Sequence, residues 1–81
     1  MYHAMMREDD YGLQALILPR AQVHIFRHGE RVIRSVKGPL RSAEWTAVEQ
    51  AVAYVEQNEQ GDCERAVALL DVAGFEVTLV R

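Results

Sequence analysis

The chain has 81 residues, 49% of them hydrophobic and 26% charged, and a formal net charge of −3 at neutral pH. Such a chain supports one globular domain with a small core. No apolar run reaches the roughly 18 residues of a membrane span, residues 1–10 lack the basic start and apolar block of a secretory signal, and the lone Cys63 cannot form an internal disulfide. Together these point to a soluble protein of the cytoplasm.

Residues 1–10 show no hydrophobic period and carry an acidic triplet, Glu8-Asp9-Asp10, so they are expected to form a flexible tail before a single domain over 11–81. Tyr11-Gly12 leads into the apolar run 13–18, which is of strand length and is ended by Pro19. The next stretch, 22–37, reads as a β-hairpin turning at His28-Gly29-Glu30. Alternation puts Val23, Ile25, Val32 and Val36 on one face, the candidate core, and His24, Phe26, Arg31 and Ile33 on the other. Two registers are open. A His28-Gly29 loop sets Ile25 against Val32, whereas a Gly29-Glu30 loop sets Phe26 against Ile33.

Lys37-Gly38-Pro39-Leu40 forms a turn. Ser42 follows as a candidate helix N-cap, with Glu44 in the first turn, where a negative charge suits the helix dipole. Trp45, Val48, Val52 and Val55, broadened by Ala47, Ala51 and Tyr54, predict an amphipathic helix over 43–57 with Trp45 in its core stripe. Asn58-Glu59-Gln60-Gly61 breaks it, and Asp62 caps a second helix whose inner side is Cys63, Ala66, Val67, Leu70 and Ala73. Gly74 suits the left-handed position after that helix, with Phe75 folding back on Leu69 or Leu70. The alternating, β-branched run 75–80 is a strand, expected beside the first strand or at an edge. The order β-β-β-α-α-β predicts an α+β two-layer sandwich, an antiparallel sheet with two helices on one face.

Charge is divided along the chain. From Arg20 to Arg41 there are six cations against Glu30 alone; from Ser42 onward, two cations stand against eight carboxylates. This division marks either an interaction surface or mutual attraction of the two halves within the fold. Chemistry is harder to place. His24 and His28 are four residues apart, roughly 13 Å along a strand, too far to chelate one metal. Cys63 opens a helix, where a thiol can be activated, yet it falls on the apolar side as a small buried residue does. No carboxylate pair, calcium loop or glycine-rich phosphate loop is present, so no catalysis, metal or cofactor is expected.

Two binding readings remain. The favoured one is a small non-enzymatic regulator or inhibitor that contacts a protein partner, as a monomer or homodimer, through Phe26, His28, Arg31, Ile33, Lys37 and Arg41, since arginine and aromatics are favoured at interfaces. The alternative is nucleic-acid binding by the basic hairpin of residues 20–41, which the acidic balance of the whole domain opposes.

Overall fold

The computed structural model describes residues 11–57 and 64–80. They form β1 (Tyr11–Ile17), β2 (Ala21–His28), β3 (Arg31–Lys37), α1 (Ser42–Gln57), α2 (Glu64–Val72) and β4 (Glu76–Val80). The expected tail over 1–10, the break at 58–61, the Asp62 cap and the Cys63 assignment lie outside the described residues. The strands make one antiparallel sheet in the order β3-β2-β1-β4, and the fold is the α+β sandwich that the alternation predicts.

The core lies between that sheet and the helices. Leu13 and Ala15 of β1, Val23 and Ile25 of β2, Val48, Ala51 and Val55 of α1, and Ala66 and Leu70 of α2 are all buried within it, with Phe75. Val32, Val36 and Val77 pack against its margin. Each sheet contributor follows the period-2 rule: Leu13 pairs with Ile25, Ala15 with Val23, and Val23 with Val36, so all share the helix-facing side. The molecule is 16 Å through its shortest axis, which fits one sheet and one helical layer and no more.

The hairpin adopts the second of its two registers. Phe26 pairs with Ile33 and His28 with Arg31 across a Gly29-Glu30 loop. Gly29 takes the first loop position with φ 63°, where a type II′ turn favours glycine. β1 begins earlier than the apolar run suggests. Tyr11 and Gly12 belong to the strand, paired with Arg27 and Phe26. The turn from β1 to β2 contains a cis Leu18–Pro19 peptide bond and closes with the Arg20 amide donating to the Ile17 carbonyl at 2.7 Å.

α1 departs from its predicted stripe in two respects. Its first intrahelical bond runs from the Trp45 amide to the Arg41 carbonyl, so the N-cap is Arg41, not Ser42. Glu44 replaces the missing side-chain cap by accepting from the Arg41 amide at 2.8 Å, one half of a capping box. The inward arc is then Glu44, Ala47, Val48, Ala51 and Val55. Trp45 remains 40% exposed, which corrects its core assignment: it and Tyr54 flank opposite sides of the arc rather than lie in it. Ala47 and Ala51 present small side chains on that arc.

α2 ends in a Schellman motif. The Phe75 amide donates to the Leu70 carbonyl and the Gly74 amide to the Asp71 carbonyl, each at 3.0 Å. This places the Phe75 ring in the core beside Leu70 and launches β4 antiparallel to β1, with Gly12 opposite Val80 and Leu16 opposite Glu76. No helix among the described residues is long and apolar enough to cross a membrane.

Candidate functional site

Half of the basic stretch is turned towards the helices. Arg34 shares the core-side parity and forms an ion pair with Glu49 of α1. Arg27 donates to the Val55 carbonyl at 3.2 Å. Its cross-strand neighbour Tyr11 donates its hydroxyl to the same carbonyl at 3.1 Å. Together they tie β1 and β2 to a carbonyl in the last turn of α1. Arg20, in the turn before β2, grips Glu44 with both terminal guanidinium nitrogens, at 2.8 and 2.7 Å, and reaches the Pro39 carbonyl at 3.3 Å. These three arginines join strands to helices.

Among the described residues, no helix lies on the remaining face of the sheet. Across its four strands, register aligns Ile33, Phe26, Gly12 and Val80 in one apolar row. The next row is Ser35, His24, Gln14 and Thr78, and the one beyond is Lys37, Gln22, Leu16 and Glu76. On the other side of the apolar row lie His28 and Arg31. Phe26 stacks with His28, ring centroids 6.3 Å apart and planes inclined by 17°. Its other edge lies over Gly12. A Cβ built there would come within 2.9 Å of the Phe26 ring, so glycine is what allows the ring to lie down across β1.

That close approach leaves a hollow of about 300 Å³ beside the ring, bounded by Gly12, Gln14, His24, Phe26 and Val80. Its floor is apolar, and Gln14 and His24 offer hydrogen-bonding groups at one side. A second, more open concavity of about 400 Å³ lies at the far end of the same sheet, between Leu16, Leu18, Gln22 and Lys37.

Of the predicted site residues, Phe26, His28, Arg31, Ile33 and Lys37 therefore share this face. Arg41 does not; it is exposed at the N-terminus of α1. Gly12, Gln14 and Val80 were not among the residues expected. An isolated glycine within an apolar run marks close approach of another group, which was the available signal for Gly12. Val80 joins the row only through the pairing of β4 with β1. Among the described residues, no three histidine, cysteine or carboxylate side chains cluster as a metal site would require. No protein-family model gives a significant match to the chain, nor does any curated protein or solved structure.

Proposed function

We propose that this is a small non-enzymatic binding protein, a regulator or inhibitor, that holds a protein partner on the open face of its sheet. The observation carrying this reading is the apolar row Ile33–Phe26–Gly12–Val80 with the hollow beside Phe26. Ile33 is 52% exposed there. Interfaces concentrate binding energy in a few apolar or aromatic anchors held in pockets and rimmed by polar groups. The hollow suits one apolar side chain of the partner. Arg31 and Lys37 at the margins of the face favour a partner segment with acidic flanks.

A second reading has one observation in its favour. Phe26 sits on an inner strand between His24 and His28, with Arg31 and Lys37 on the same face, an arrangement that can stack an unpaired base and contact its phosphates. The net charge of −3 opposes it.

Affinity capture from lysate with the immobilised full chain separates the two. Wild type, Ile33→Asp and the helix-surface variant Arg65→Ala are run in parallel, with and without nuclease. The expected result is a nuclease-resistant protein retained by wild type and Arg65→Ala and lost with Ile33→Asp. Equal retention by all three, or release by nuclease, defeats the protein-binding reading. An oligonucleotide mobility shift that salt and Arg31→Ala both weaken would put the second in its place.

A further inference from the structure

The two outer edges of the sheet differ in kind. β3 carries Arg31, Arg34 and Lys37 within seven residues. Charges of this sort keep a strand edge from pairing with another. β4 reads Glu-Val-Thr-Leu-Val, with three β-branched residues and one carboxylate, and its outer side faces no strand among the described residues. The helical layer covers it only in part: α2 reaches β4, and Val77 packs against the margin of the core. Leu13 and Ala15, opposite Leu79 and Val77 on β1, are buried, while Leu79 on the same face is 49% exposed. Val80, on the open face, is 42% exposed. An apolar edge strand with Leu79 exposed on one face and Val80 on the other invites pairing with a further strand.

We infer that β4 pairs antiparallel with β4 of a second copy of this chain, across a two-fold axis at Thr78, to make a continuous eight-stranded sheet. The choice of a second copy rests on self-complementarity. In that register Val77 meets Leu79 of the second copy on the helix side, twice over by symmetry. On the open side Thr78 meets Thr78, and Glu76 meets Val80, so no like charges are opposed. The same operation on β3 sets Arg34 against itself and Arg31 against Lys37, three like-charge pairs in seven residues. A β3-to-β4 contact is head-to-tail, so it yields a ring or an open filament and not a two-fold pair. The self-pairing lies at the sheet's edge and leaves Ile33, Phe26 and Gly12 of each copy open, so it does not depend on the proposed partner binding.

The test is sedimentation velocity of the full chain over a concentration series, for wild type, Thr78→Lys, Thr78→Glu and an equimolar mixture of the two variants. Circular dichroism checks that each variant is folded; Thr78 is exposed. Wild type is expected to show a monomer–dimer equilibrium. Each variant alone, placing like charges face to face, is expected to weaken it about fivefold. The mixture is expected to restore dimerisation at least to the wild-type level. A wild type that stays monomeric throughout overturns the inference. So do variants that dimerise as wild type does, or a mixture that fails to recover.

Discussion

Glu44 holds an inward place on α1, 7% exposed, where the helical pattern otherwise supplies alanine and valine. A carboxylate is tolerated there because its donors converge: both ends of the Arg20 fork and the Arg41 amide. The Arg20 hydrogen bonds first, and then the Arg41 amide, hold its pKa down to about 2 from an ordinary value of 4.5. Since the folded value lies below the unfolded one, the stabilisation is complete above about 4.5 and is lost as pH falls towards about 2. Glu44→Gln is therefore expected to lower Tm at neutral pH, with the difference from wild type shrinking through that acidic window. Thermal melts at a series of pH values check this, and a constant difference would show that the carboxylate charge does not matter. Little of this was legible in the sequence. Arg20 and Glu44 are distant along the chain, and Glu44 reads locally as a residue suited to the helix dipole. The misplacement of Trp45 has the same origin, because once Glu44 turns inward the stripe rotates and the indole is left on its flank.

At the scale of elements, main chain meets main chain closely at the corner between the β1–β2 turn and the β3–α1 linker. Gly38 has φ 86°, and a Cβ on it would fall 2.0 Å from the Arg20 carbonyl oxygen and 3.1 Å from the Ala21 Cα. Both are main chain and cannot swing aside. Gly12 makes a different close approach, to the Phe26 ring, which is a side chain with freedom to move. Gly38→Ala is thus expected to cost more than ~3 kcal/mol. Gly12→Ala should cost roughly 1 kcal/mol while displacing the ring and narrowing the hollow. Urea denaturation of both variants measures the contrast, and equal losses would contradict it. The hairpin, its face assignment and the Gly74–Phe75 helix end were legible because period-2 alternation and capping chemistry are local. Register was not, since both loops satisfy the same parity. The place of the last strand beside the first was expected, but the row through Gly12 and Val80 depends on its direction and register, which no local pattern encodes.

For the whole molecule, the division into a basic hairpin and an acidic helical half is in good part an internal matter. Arg20 and Arg34 meet Glu44 and Glu49 of α1, and Arg27 meets its last turn. What remains outward is a sheet face whose composition is legible in the sequence as unusual but whose purpose is not. A surface assembled from four strands has no sequence motif.

The sheet's connectivity has a kinetic consequence. β1, β2 and β3 form a meander closed by short turns, whereas β4 reaches β1 only after both helices have been traversed, with Gly12 paired to Val80. Chain entropy disfavours distant pairings until nearer ones have shortened the effective loop. The meander with α1 is then the expected nucleus, and β4 docks after the barrier. Val23→Ala in β2 should slow folding, whereas Val77→Ala in β4 should mainly accelerate unfolding; stopped-flow chevrons distinguish the two. A reversed pattern would place β4 in the nucleus. In the expected order, the outer side of β1 stays unpaired throughout the ascent to the transition state, and the growing sheet carries its most apolar strand as a bare edge until the final step.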